Sequence, residues 1–199
     1  MKIKFETYNP DWPIEFEKIK CELTELIGFV DPKIEHIGST SVEGLSAKPI
    51  IDILVGVDNE SDLEKTIEPL TGRNYVYYPK YNKDMPYRRF FIKHKVSPQE
   101  LLLPIVVTDE FTAPATTFEH NARLAHIHIL PYNSEHWVRH IAFRDYLRTH
   151  PDIKDQYQNL KGELSTIEWV DGNEYNAAKD SFIKIEEKKA IDWYLNKNR

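Results

Sequence analysis

Lys48-Pro49-Ile50-Ile51-Asp52-Ile53-Leu54-Val55-Gly56-Val57 is the stretch that decides how this chain is read. Near-continuous Ile, Val and Leu is what a strand covered on both faces requires. Asp52 is the charged side chain inside that run. A carboxylate there loses its hydration, which is costly unless it is paired, protonated or bound to a metal. Desolvated carboxylates cluster at functional sites, so Asp52 is the first candidate residue. The plainer alternative is a strand-end Asp that reaches solvent or caps a neighbour.

Immediately upstream, Ile34-Glu35-His36-Ile37-Gly38-Ser39-Thr40-Ser41 reads as a short strand running into a Gly-Ser turn. Gly38 lets the backbone approach a ligand closely. The hydroxyls of Ser39 and Thr40, with free backbone N–H groups, suit a phosphate. A Gly-Ser turn followed about a dozen residues later by a strand Asp resembles the layout of the nucleotidyltransferase fold. In that fold the turn holds a triphosphate and strand carboxylates hold a divalent metal. Its pattern carries Asp-x-Asp, two carboxylates on one strand face. Here the second position is Leu54.

A narrower resemblance covers nearly the whole chain. Glu35 to Val42, Gly44-Leu45 and Ala47 to Ile53 resemble the signature of the GrpB family, usually placed in the nucleotidyltransferase superfamily. Tyr8-Asn9-Pro10-Asp11-Trp12, Arg88-Arg89-Phe90-Phe91, His126-Ile127-His128-Ile129 and Phe143 to Arg148 with His150-Pro151 are similar to later family segments. So are Tyr157, Leu160-Lys161, Tyr175-Asn176 and Ala178-Lys179. Relatives of this domain also occur fused to dephospho-coenzyme A kinase and acetyltransferase domains. The resemblance implies an α+β fold: a nucleotidyltransferase-like mixed β-sheet with flanking helices and a C-terminal helical part. It is expected as a single domain, residues 1–131 forming the αβ core and 132–199 a helical extension.

Local patterning agrees. Helices are expected at Asp11–Ile27, Asp62–Leu70 behind a Ser61 cap, Ser134–Thr149, Pro151–Ile167 and Asn173–Asn196. Strands are expected at Ile34–Gly38, Pro49–Val57, Tyr75–Tyr81, Tyr87–Lys95 and Leu124–Leu130. The segment 96–121 is unusual for the family. Its apolar run Leu101 to Val107 is an extra edge strand with Pro104, a lid or a contact with a second copy.

His126 and His128 alternate with Ile127 and Ile129, so both imidazoles share one strand face. With Asp52 they would make a two-His, one-carboxylate set suited to Mn²⁺, Fe²⁺ or Zn²⁺ more than Mg²⁺. His128 is alternatively a general base, and either histidine an anion contact or a structural residue. His36 is a candidate for the same cleft. Lys48 stands where an ammonium meets a phosphate. Of Arg88 and Arg89 only one faces the cleft, and Arg89 is the one taken as a phosphate contact. The family match adds Arg144, whose plainer role is an ion pair with a helical neighbour.

The sequence has 199 residues, net charge −6 and one cysteine. That length buries a full core without disulfides. Cys21 reads as a small core residue of the first helix. No apolar run approaches membrane-spanning length and no signal-like h-region opens the chain, so a cytoplasmic protein is expected. The acidic balance excludes a general nucleic-acid binder, while a small anionic ligand in a local basic pocket remains compatible. The functions left open are a metal-dependent nucleotidyltransferase-like enzyme using Mg²⁺, Mn²⁺ or Zn²⁺, a catalytically degenerate nucleotide- or coenzyme-binding module, and a protein-interaction domain.

Overall fold

The computed structural model describes residues 5–111, 122–170 and 172–197. A five-stranded mixed sheet is built from β1 (Lys33–Ile37), β2 (Ile51–Val57), β3 (Tyr75–Tyr77), β4 (Arg89–His94) and β5 (Arg123–Pro131), in the order β1-β2-β5-β4-β3. β2 and β5 pair in parallel at the centre, and the other pairings are antiparallel. The parallel pair explains the unbroken apolar run of β2: both faces are covered, and all but Asp52 of its residues are buried.

On one face lie α1 (Asp11–Ile27), α2 (Glu60–Lys65) and α3 (Ile67–Thr71). Trp12, Phe16, Ile19, Leu23 and Ile27 of α1 meet Ile51, Ile53 and Val55 of β2 and Ile127 and Ile129 of β5. This stripe leaves Cys21 on the outer side of α1, exposed rather than in the core as its sequence context suggested. The expected single helix at 62–70 is two short ones starting at Glu60. The Thr66 hydroxyl bonds back to the Leu63 carbonyl at 2.7 Å, and Pro69 has no N–H to continue the ladder. β3 stops at Tyr77 because Pro79 opens a 3-10 turn, Pro79–Tyr81.

The other face carries α4 (Glu135–Thr149), α5 (Pro151–Ser165) and α6 (Gly172–Lys197). Ser134 caps α4 by accepting from the Trp137 N–H at 3.2 Å. Trp137 and Ile141 then pack on Ile37, Leu54 and Leu130 of the sheet. Val42 and Leu45, from the loop between β1 and β2, sit in a core made with α4, α5 and α6. The same loop is tied down by polar contacts. Arg148 donates to the Ser41 carbonyl at 2.7 Å, and Gln158 brackets Ser46 at 2.9 and 2.7 Å. Beyond β3, Val106 makes a single parallel bridge with Tyr77 at the sheet edge, with Val107 buried beneath it. The rest of the 96–121 segment, from residue 112, lies outside the described residues. Among the described residues, no helix is long and apolar enough to cross a membrane.

Candidate functional site

A cavity of about 870 Å³ opens between the inner face of β2, β4 and β5 and the helices α5 and α6. Asp52 forms part of its floor. Strand alternation sends Ile51 and Ile53 toward α1 and leaves Asp52 on the cavity side. In the parallel register Asp52 lies opposite His126, and Leu54 opposite His128. His126 Nδ1 stands 3.1 Å from Asp52 Oδ1, and Arg123 Nη1 stands 3.3 Å from His126 Nε2. A guanidinium only donates, so Nε2 accepts and the imidazole proton sits on Nδ1, donated to the carboxylate. Arg123, His126 and Asp52 thus form a directed hydrogen-bond chain.

Gly38 makes room for that carboxylate. Its φ is +70°, and a Cβ there would collide with Asp52 Oδ2. The 3-10 turn Ser39–Ser41 that follows presents Ser39 and Thr40 to the cavity. Ser39 Oγ is met by Lys161 Nζ at 3.3 Å and by the Tyr157 hydroxyl, both from α5.

The electrostatics of the cavity differ from those of the chain. Lys48, Arg88, Arg123, Lys161 and Lys179 line it, against one carboxylate, Asp52. Desolvation lowers the pKa of Lys161 to about 7, helped by the charge of Lys179. Desolvation and Lys179 lower Lys48 to about 8. Lys179 is lowered too, by burial, with Asp52 opposing. Aromatic rings hold these cations: Lys161 lies over Tyr157 at 4.7 Å, and Lys48 and Lys179 over Tyr175 at 4.8 and 4.6 Å. Among the described residues, these crowded, half-desolvated ammonium groups face one carboxylate, an electrostatic setting that favours an anion.

The candidates from sequence divide. Gly38, Ser39, Thr40, Lys48, Asp52, His126 and His128 are brought to the cavity. His36 is not: it pairs with Ile53 in register, so its ring points toward α1 and stacks on Phe16 at 4.8 Å. Burial lowers its pKa to about 4, and its ring meets Thr40 Oγ1, a cavity-lining hydroxyl, at 2.9 Å. Arg89 also lies on the α1–α3 face, where it meets Glu64 of α2, and Arg88 lines the cavity in its place. Arg144 is taken up by Glu35 at 2.6 Å and Asp145 at 2.7 Å and donates to the His36 carbonyl, clamping α4 to β1 outside the cavity.

The expected metal set does not form. His128 turns to Arg88, whose Nη1 is 3.2 Å from His128 Nδ1. Desolvation, and then Arg88, push its pKa well below the ordinary range. Among the described residues no three His, Cys, Asp or Glu side chains gather as a protein-held metal requires. A second strand carboxylate has no room either: Leu54 is fully buried beneath Trp137 and Ile141.

Other cavity residues were not taken as site candidates from sequence: Arg123, and also Tyr157, Lys161, Tyr175 and Lys179, which entered only within family-like segments. A signal for the last four exists. Tyr157-x-x-x-Lys161 and Tyr175-x-x-x-Lys179 are the same motif on two helices, and a spacing of four puts ring and ammonium on one helix face.

The architecture, a mixed five-stranded sheet with helices on both faces, is shared with a solved protein. The crystal structure of conserved protein GrpB from Enterococcus faecalis matches with a TM-score of 0.75 at 31% identity, covering 96% of this chain and 99% of that one. The chain belongs to the GrpB family: the family pattern described as GrpB protein matches residues 2–189. Among relatives, the glutamate-rich protein GrpB of Alkalihalophilus pseudofirmus is 30% identical over 89% of each chain. The UPF0157 protein YqkA of Bacillus subtilis (strain 168) is 30% identical over 99% of this chain, which spans 50% of that protein's length. A dephospho-CoA kinase of Mycolicibacterium paratuberculosis is 23% identical over 93% of this chain and 45% of its own length.

Proposed function

We propose that this GrpB-family protein binds the phosphates of a nucleotide, or of a coenzyme-like metabolite, in the Gly38-Ser39/Asp52 cleft. One observation carries the reading: among the described residues, five basic side chains face a single carboxylate in a cavity of a chain whose net charge is −6. The phosphates would lie on the Ser39–Thr40 turn, with Lys48, Lys161 and Lys179 around them. Tyr157, Tyr175 and Phe90 offer rings for the rest of the molecule. The likeness to a protein named dephospho-CoA kinase supports a nucleotide-related ligand. A divalent ion, Mg²⁺ or Mn²⁺, would have Asp52 as its protein ligand and phosphate oxygens as the others, and would neutralise phosphate charge.

The hydrogen-bond chain Arg123–His126–Asp52 favours a second reading, nucleotidyl transfer. An acceptor oxygen would attack the α-phosphorus, the bond to pyrophosphate would break, and the acceptor proton would pass to Asp52. His126 keeps the carboxylate oriented for this.

Thermal-shift screening with ATP, GTP, CTP, UTP and coenzyme A, each with Mg²⁺, Mn²⁺, Zn²⁺ or EDTA, tests both readings. At a hundred times Kd a ligand stabilises the native state by about 2.7 kcal/mol. A shift with any of these compounds that is lost in Lys161→Met supports binding. No shift with any of them would refute it. Release of pyrophosphate from the bound nucleotide, abolished in Asp52→Asn with binding retained, would add the transfer step.

A further inference from the structure

Apart from the exposed Arg73, the described arginines of this fold fall into two groups. Arg89, Arg139, Arg144 and Arg148 each meet a carboxylate. Arg88 and Arg123, both half-buried, meet none among the described residues; each donates instead to an imidazole of β5, Arg88 to His128 at 3.2 Å and Arg123 to His126 at 3.3 Å. In both, the Nε–H group is buried without a partner among the described residues. The two imidazoles stand two residues apart on one strand face, roughly 7 Å. The guanidiniums therefore approach one cavity wall from its two ends. Phe90 floors the space between them: its ring is 5.1 Å from the Arg88 guanidinium carbon and 5.6 and 5.0 Å from the rings of His126 and His128.

A half-desolvated guanidinium without counter-charge is costly, and its forked donors match a carboxylate or phosphate. Imidazole nitrogens acting as acceptors orient the two forks without consuming their charge. Lys161 and Lys179, on α5 and α6, belong to the opposite wall. A cavity of about 870 Å³ lies near the upper end of the roughly 300–1,000 Å³ usual for small-molecule sites.

We propose that Arg88 and Arg123 form a second oxyanion subsite, which seats the carboxylate or phosphate group of a second, acidic reactant beside the nucleotide. This rests on the reading of the lysine wall as the nucleotide-phosphate site.

The test is an NMR titration of the full chain, labelled at histidine, with inorganic phosphate and separately with acetate. Phosphate is expected to move the ring resonances of His126 and His128 saturably, in the wild type and in Lys161→Met alike. Arg88→Gln and Arg123→Gln should each weaken that response by about tenfold or more, and Arg88→Lys by less, because it keeps the charge and loses the fork. Acetate acting as phosphate does assigns a general oxyanion subsite; phosphate acting alone assigns a phosphate group. Unmoved histidine resonances in the wild type, or an unchanged response in both glutamine variants, would overturn the proposal. ATP titrated into the same sample separates the two readings. Phosphate moving His128 while ATP fails to bind removes the nucleotide reading and leaves the subsite. ATP binding without any phosphate response at His126 and His128 does the reverse.

Discussion

Replacing Lys161 by Met should make the ligand-free protein more stable and the binding site worse. Lys161 is 2% exposed, and its pKa falls from an ordinary 10.5 to about 7. Each factor of ten in a protonation equilibrium is about 1.4 kcal/mol, so holding this ammonium charged inside the fold costs on the order of 5 kcal/mol. Its bonds to the Ser46 carbonyl and Ser39 Oγ return about 1 kcal/mol each. Met keeps the length and the apolar stem, so Lys161→Met should stabilise by roughly 2–3 kcal/mol at pH 6. The sign follows from proton counts. Between pH 7 and 10.5 the unfolded chain carries the Lys161 proton and the native state does not, so wild-type stability rises with pH in that window. The penalty is fully present below pH 7 and gone by pH 10.5, so the variant's advantage should shrink and reverse as pH climbs. Urea denaturation of both proteins at pH 6 and 9.5, with unchanged m values, reads this directly. A variant destabilised equally at both pH values would refute the reasoning. A variant that is stabilised yet binds ATP as the wild type does would refute the assignment of Lys161 to the phosphates.

Anion affinity should fall as pH rises from 7 to 9, because Lys161 and Lys48, with values of about 7 and 8, must be charged to hold phosphate; each lysine accounts for up to about a tenfold loss per pH unit. Calorimetry in two buffers of different ionisation heat should show proton uptake on binding, and no uptake at pH 8 would contradict it. Gly38→Ala forces a side chain at φ +70° into the Asp52 carboxylate, and should cost on the order of 2 kcal/mol in a denaturation experiment and weaken nucleotide binding; wild-type behaviour in both would show the turn to be less constrained than described. Leu54→Asp, which writes Asp-x-Asp into β2, should destabilise by about 3–5 kcal/mol rather than create a metal site, since position 54 is sealed by Trp137 and Ile141. A folded Leu54→Asp protein with new metal affinity by calorimetry would overturn that view.

What the linear chain determined here was everything that depends on near neighbours. The apolar run around Asp52 announced a doubly covered strand, because only Ile, Val and Leu tolerate burial on both faces. The alternation of His126 and His128 with isoleucines put both imidazoles on one side, since strand side chains alternate by geometry alone. The Gly-Ser turn was legible because a positive φ and a close approach leave glycine as the residue of choice. Membership of the GrpB family was legible for the same reason: these local segments recur along nearly the whole chain.

Which face of a strand looks into the cavity was settled only by tertiary packing. Arg88 and Arg89 stand at the start of a strand with both faces apolar, Phe90 on one and Phe91 on the other, so periodicity could not rank them. The packing of α1, α2 and α3 against the Arg89 side decided it, and the same packing turned His36 away from the cleft. Lys161 meets Ser39 across 122 positions, and no local pattern encodes that distance. The charge state of these lysines has the same origin: a lysine is ordinary in sequence, and its pKa falls when the fold removes its water and places other cations beside it.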